Sequence, residues 1–316
     1  MYIYFFALSF ISSFISLPFV KSIGHDLNII DIPNKRKQHK IKLTRFGGIS
    51  IFFGLFLPLI IKYILDIDII DFQNEKFLLP FIVSISAFFC LGIVEDIYVL
   101  KPLVKLIFQI LIAMYSFFNG IRIHNIDISF LGLTSNTIDF GVILSFIITL
   151  IWIVGITNAF NWLDGLDGLL SGITIIYCLA LIFLNKDVNL FLSFISLSLI
   201  GSCIGFLRYN FYPAKMLMGD SGSFLLGSFL GLSSLIVFGN NVDKTSLNLP
   251  ILFYLYPIAD MVSVLISRLS KGNSLLLPDR SHLHYRLNDL GFSHKKTVLF
   301  VYAITILSVS LFIFMI

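Results

Sequence analysis

Apolar residues fill this chain in long unbroken stretches, and the polar residues gather between them. Ten stretches approach the roughly 17–25 residues that a helix needs to cross a bilayer. They predict helices at approximately 1–20, 46–65, 77–94, 103–121, 141–160, 169–184, 190–207, 222–239, 248–267 and 297–316. Met1–Val20 has no basic segment ahead of its apolar run and no small-residue cleavage site, so it reads as a first membrane helix and not as a removed signal. Residues 122–140 instead alternate apolar and polar positions around Gly132 and Ser135-Asn136, which predicts a short β-hairpin. No linker, low-complexity tract or sustained repeat marks off a second domain. The expected fold is an all-α polytopic membrane protein, with residues 1–316 as a single integral-membrane domain.

Composition agrees: 57% of residues are hydrophobic, 13% are charged and 34 are Phe, far more apolar surface than a soluble domain can bury. Cys90, Cys178 and Cys203 all lie within apolar runs and read as helix-packing residues. Charge distribution adds an orientation. Of 22 Lys and Arg, only Lys62, Lys76, Arg122, Lys186 and Lys244 fall in one set of alternate connections. The other 17 fall in the connections 21–45, 95–102, 161–168, 208–221 and 268–296 and their helix edges. The positive-inside rule makes that second set cytoplasmic and puts both termini outside. Five of the six histidines are on the same side, so the chemistry is expected to face the cytoplasm.

Five polar clusters lie there. Asn158, Asn161 and Asp164, in Asn158-Ala-Phe-Asn161-Trp-Leu-Asp164-Gly-Leu-Asp167-Gly168, share one helix face at the end of an apolar run. Amides and carboxylates at a bilayer edge point to a site, and hard oxygen ligands suit Mg²⁺ and a phosphate-bearing substrate. A polar helix end with two Asp-Gly turns would account for one Asp-Gly but not for both Asn residues. Lys35, Arg36, Lys37 and His39, before Arg45-Phe-Gly47-Gly48, make either a phosphate site or a lipid-headgroup anchor. Glu95 and Asp96 end one helix and Lys105 enters the next. Two adjacent acids repel, so one can serve as a base, while Lys105 can neutralise phosphate. Gly219-Asp220-Ser-Gly-Ser opens another helix, and Asp220 could supply a metal ligand opposite Asn161; capping alone would also explain it. Arg280, His282, His284 and Arg286 read as diphosphate partners or as a basic solvated loop, and zinc lacks a third ligand. The two-residue spacing of His282 and His284 favours a loop or extended segment.

In this order the five clusters resemble one family, the polyprenyl-phosphate N-acetylhexosamine-1-phosphate transferases, whose superfamily includes phospho-MurNAc-pentapeptide transferase. The matching pieces run from Asp31-x-Pro33 through Gly92-x-x-Glu95-Asp96, Asn158-x-x-Asn161-x-x-Asp164-Gly-x-Asp167-Gly168 and Met218-Gly219-Asp220-Ser221-Gly222-Ser223 to Asp279-x-x-His282-x-His284. The resemblance implies transfer of a sugar 1-phosphate from a UDP-N-acetylhexosamine, UDP-GlcNAc foremost, to undecaprenyl phosphate in the bacterial inner membrane. The other product is UMP, and a cell-envelope glycan is thereby initiated. It implies Mg²⁺, with Mn²⁺ as a substitute, held by Asn161 and Asp220. It also implies Glu95 and Asp96 beside the attacking phosphate, Lys105 on phosphate charge, Asp164 and Asp167 along the nucleotide sugar, and Arg280, His282 and His284 on the sugar diphosphate. Expected partners are the two substrates and the bilayer, with a homodimer as the form seen in a relative and no nucleic acid.

Two residues depart from the family pattern. Glu95 stands where an Asp is usual, and Tyr285 stands where a third histidine is common, which leans away from the pentapeptide transferases. The reading from a different class is a transporter or flippase for anionic lipids or sugar phosphates, which would use the same cations and acids. Against it, the polar residues gather at helix ends and do not run through the bilayer; Asp260 is the one candidate mid-membrane acid.

Overall fold

The computed structural model describes residues 2–32, 42–64, 76–127, 137–185, 189–239, 248–272 and 281–315. The first half of the chain runs α1 (Tyr2–Asp26), β1 (Ile30–Asp31), β2 (Leu43–Thr44), α2 (Gly48–Ile64), α3 (Leu78–Tyr98), α4 (Pro102–Phe118), β3 (Asn125–Asp127), β4 (Thr137–Asp139) and α5 (Val142–Leu163). The second half runs α6 (Leu169–Asn185), α7 (Leu190–Asn210), α8 (Gly219–Gly239), α9 (Asn248–Phe253), α10 (Leu255–Ser270), α11 (Leu283–Asp289) and α12 (His294–Met315). Among the described residues α1, α3, α5, α7, α8 and α12 are long and apolar enough to cross a membrane, and α2, α4 and α6 are shorter apolar helices. The chain is a multi-pass, essentially all-helical membrane protein.

Nine of the expected helical segments each coincide with one helix. The tenth, 248–267, is broken into α9 and α10 around Tyr254. Pro257 has no N–H to give to the Phe253 carbonyl, so the helix ladder fails there. The Tyr254 hydroxyl instead donates to the Leu230 carbonyl of α8 at 2.8 Å, which ties the break to the core. β3 and β4 pair antiparallel, Asn125 opposite Asp139, at the end of the bundle where α5 begins; residues 128–136 between them lie outside the described residues.

Helix α8 is the axis of the bundle. In its apolar window 94% of residues are buried, against 22% for α1 and 28% for α12, which leaves those two on the periphery. Helices α2, α3, α5 and α6 surround it. Lipid offers no hydrophobic drive for helices to associate, so close contact rests on small residues and polar bonds. Gly201 and Gly205 let α7 approach α1: a Cβ on Gly201 would lie 2.6 Å from the Phe6 carbonyl oxygen. Ser13 donates to the Ser202 carbonyl across the same seam at 2.9 Å.

The closest convergence is at the N-terminus of α8. A Cβ on Gly92 of α3 would lie 2.4 Å from Ser221 Cα, and one on Gly48 of α2 would lie 2.2 Å from the Gly222 nitrogen. The strand-like segment before α2 is laced to the turn before α8 by Leu217 N–H to the Thr44 carbonyl (2.9 Å), Gly47 N–H to Leu217 (3.0 Å) and Gly48 N–H to Met218 (2.8 Å). Three helices and one extended segment thus meet where the polar clusters lie.

Candidate active site

The N-terminus of α8 has free backbone N–H groups that need an acceptor. Asp96, at the end of α3, supplies it. Its two oxygens accept from the N–H groups of Asp220 (2.9 Å) and Ser221 (3.0 Å). Gly219 makes this possible with a φ of +77°, and a Cβ there would press on the Arg45 carbonyl at 2.2 Å and on Asp96. Two of the first N–H groups of α8 are therefore taken up by a neighbouring helix. Asp220 itself, in the first turn, accepts from the Asn161 amide at 2.6 Å, and the same amide donates to Ser223 Oγ at 2.7 Å. Among the described residues these bonds leave the Asn161 side-chain oxygen without a hydrogen-bond partner.

The segment 164–168 after α5 is held by side chains from distant elements. Asp167 accepts from Ala214 N–H (3.0 Å), Asn210 accepts from Gly168 N–H (3.0 Å), and the Tyr302 hydroxyl of α12 donates to the Gly168 carbonyl (2.6 Å). Asp164 follows the last turn of α5, and among the described residues no opposite charge offsets its surroundings. Burial first, then the charges of Asp220, Asp96 and Asp167, push its carboxyl up to about 8.

Asp260 of α10 organises the histidine segment. One oxygen meets His282 Nδ1 at 2.8 Å and the other accepts from Leu283 N–H at 2.8 Å, so it caps α11 from outside. His282 precedes α11 in extended conformation and His284 lies in its first turn, which refines the expected loop. The two rings stack, 5.4 Å between centroids, and Trp162 meets His282 edge-on at 5.6 Å with the Arg268 guanidinium 4.8 Å from the Trp162 ring. His284 is fully buried with neither ring nitrogen hydrogen-bonded, and burial holds its pKa down to about 3, so it is neutral. Its ring fits because residue 165 is glycine: a Cβ there would stand 2.3 Å from His284 Nε2.

These elements line a cleft at one end of the bundle, with a volume of about 280 Å³. Of the expected residues, Asp96, Asn161, Asp164, Asp167 and Asp220 line it, joined by Asp31, Arg45, Asn210 and Tyr285. Glu95, Lys105, Asn158, His282 and His284 stand back from it. Glu95 accepts from Leu100 N–H (2.8 Å) and pairs with Lys105 Nζ (3.3 Å), which also lies 5.6 Å from the Phe224 ring. Asn158 donates to Gln109 of α4 at 2.8 Å, bracing α4 against α5. Lys35, Arg36, Lys37, His39 and Arg280 lie outside the described residues. Asp31 and Arg45 belong to the first cluster's motif but carry no assigned role in the sequence; β1 and β2, two residues each, bring them to the cleft by pairing Ile30 with Thr44.

A family model described as glycosyl transferase family 4 matches residues 78–238, the span from α3 to α8 that carries most of the cleft. The chain belongs to glycosyl transferase family 4. Within that family it is similar to the probable undecaprenyl-phosphate N-acetylglucosaminyl 1-phosphate transferase of Bacillus subtilis (strain 168), 34% identical over 95% of this chain and 80% of that protein. It is also similar to the undecaprenyl-phosphate alpha-N-acetylglucosaminyl 1-phosphate transferase of Thermotoga maritima, 29% identical over 87% of this chain and 85% of that protein. A phospho-N-acetylmuramoyl-pentapeptide-transferase of Borrelia turicatae matches at 29% over 85% of this chain and 80% of that protein.

Among the described residues, no three His, Cys, Asp or Glu side chains are grouped to hold a metal unaided. Mg²⁺ keeps several waters and binds through one or two carboxylates plus substrate phosphates. Asp220 and the Asn161 side-chain oxygen are hard donors held together by a 2.6 Å bond, and they fit such an ion.

Proposed function

We propose that this protein transfers N-acetylhexosamine 1-phosphate from a UDP-sugar, UDP-GlcNAc foremost, to undecaprenyl phosphate and releases UMP. The observation that carries the reading is the Asn161–Asp220 pair in a carboxylate-lined cleft at the end of a membrane bundle, in a chain similar over most of its length to transferases of that name. In the reaction, an oxygen of the lipid phosphate bonds to the sugar-bearing phosphorus. The bridging P–O bond to the uridine phosphate breaks, and its electron pair leaves on UMP. Two anions must meet, so catalysis consists of positioning and charge neutralisation.

Mg²⁺, held by Asn161 and Asp220, would supply Lewis-acid neutralisation of the diphosphate. The protein's own residues do the rest. Asp96 fixes the α8 terminus that presents Asp220. Glu95 holds Lys105 near the entrance of α4, where it adds positive charge to the cleft's surroundings. Asp164 and Asp167, on a segment tied to α7, α12 and the turn at Ala214, shape the nucleotide-sugar wall. His282 and His284 support the same wall from α11 through Gly165 and Trp162. In this reading α9 and α10 together form one of ten spans, the cleft faces the cytoplasm, and the β3–β4 pair faces outward. Tyr285 in place of a third histidine favours a simple hexosamine donor over a pentapeptide one.

The test is UMP release by purified protein in detergent with undecaprenyl phosphate, Mg²⁺ and a panel of UDP-N-acetylhexosamines. Release that needs both lipid and metal, for one sugar, supports the reading and names the donor. Folded protein that releases no UMP with any donor overturns it.

A further inference from the structure

We infer that Arg45 holds a substrate phosphate in the cleft. The inference rests on the proposed transferase reading and adds a residue to it. The cleft wall carries five acidic side chains, Asp31, Asp96, Asp164, Asp167 and Asp220, and among the described residues Arg45 is the cation that lines it. A phosphate entering such a wall meets repulsion unless positive charge is already there. Lys105, one of the cations expected to meet phosphate, is committed to Glu95 at 3.3 Å and does not line the cleft.

The Arg45 backbone is pinned. Its N–H reaches the Ile29 carbonyl (3.3 Å), its neighbour Thr44 accepts from Leu217 N–H (2.9 Å), and its own carbonyl sits where a Cβ on Gly219 would be 2.2 Å away. The side chain is half-buried and, among the described residues, makes one hydrogen bond, from Nη2 to the Asp96 backbone carbonyl at 3.0 Å. That partner is a neutral carbonyl, so the guanidinium is steered into the cleft without losing its charge to an ion pair among the described residues. One bond uses one of five donors, and the remaining fork matches two oxygens of a phosphate. Asp220 and Asn161 line the same cleft as Arg45, so a phosphate bound there would share the cavity with both. The phosphate belongs either to the donor's diphosphate or to the lipid acceptor, and both present the same oxygens.

The experiment measures steady-state rates of full-length Arg45→Ala and Arg45→Lys with each substrate varied in turn. It adds thermal unfolding in detergent and calorimetric titrations with UDP and with undecaprenyl phosphate. Arg45→Ala is expected to lose about 100-fold or more in kcat/KM with an unchanged unfolding temperature. Arg45→Lys is expected to recover only part of that, because an ammonium lacks the fork. Millimolar guanidinium is expected to raise the rate of Arg45→Ala and not that of wild type. A raised KM for the UDP-sugar together with weaker UDP binding assigns the donor's phosphate; a raised KM for the lipid alone assigns the acceptor's. Unchanged KM and kcat for both substrates overturn the inference, as does a loss that tracks a lowered unfolding temperature and resists guanidinium. If wild type itself releases no UMP, the transferase reading fails. Titrations with UDP and with undecaprenyl phosphate then decide this inference on their own, since equal affinities for both in wild type and Arg45→Ala would sink it.

Discussion

Asn161 and Asp220 stand 59 residues apart in the chain and 2.6 Å apart in space. Asp220→Ala removes the carboxylate of that pair, and turnover is expected to fall by on the order of 10³-fold, with unfolding temperature little changed. Retained UMP release would remove the metal assignment. Asp164 makes a separate prediction, in which the sign follows from its burial. A carboxyl raised to about 8 carries its proton at neutral pH and gives it up when a cation arrives nearby. Mg²⁺ binding is therefore expected to release protons and to tighten as pH rises toward 8. Calorimetry in two buffers of different ionisation enthalpy reads this directly, and binding without proton release would show that Asp164 does not sense the ion. Glu95 is placed to act through Lys105, which it holds at 3.3 Å. Glu95→Gln keeps an acceptor for Leu100 N–H but loses the ion pair, so a rate loss of about 10-fold is expected, with Glu95→Asp intermediate. Wild-type rates in both would make the pair dispensable.

At the scale of elements, two helices bordering the cleft receive their N-terminal caps from other helices: α8 from Asp96 of α3, and α11 from Asp260 of α10. This is where reading the chain alone stops short. Helix positions were legible because apolar length is a local signal, and the Asn161–Asp220 pairing was legible because both residues sit at helix ends on one predicted face. The role of Asp96 was not, since its partners are more than 120 positions away and nothing near it announces them. The same holds for Asn158, whose spacing with Asn161 and Asp164 suggested the cleft but whose amide meets Gln109 of α4. The break at Tyr254 did have a signal, Pro257, hidden inside an otherwise unbroken apolar run. For α11, Asp260→Asn is expected to lower kcat by about 10- to 100-fold while leaving the bundle folded, because His282 loses the carboxylate that orients it. The pH profile of the rate should shift with it, and an unshifted profile would mean that Asp260 serves α11 alone.

For the whole molecule, the decisive contact is the convergence of α2, α3 and α8 at Gly48, Gly92 and Gly222. Gly92→Ala places a methyl 2.4 Å from the Ser221 Cα, against backbone that cannot rotate away. It is expected to part α3 from α8, lowering the unfolding temperature and UMP release together, by more than the roughly 1–3 kcal/mol typical of overpacking. Activity that survives at wild-type stability would show that the seam can open at little cost. The cross-helix cap on α8 also bears on how the protein is made. Helix α3 enters the bilayer long before α8 is synthesised, and the N–H groups of α8 find Asp96 only when the two helices dock. The cleft therefore comes into being at the final closure of the bundle, and a chain halted or misassembled before that closure carries all the reactive side chains with no surface on which to use them.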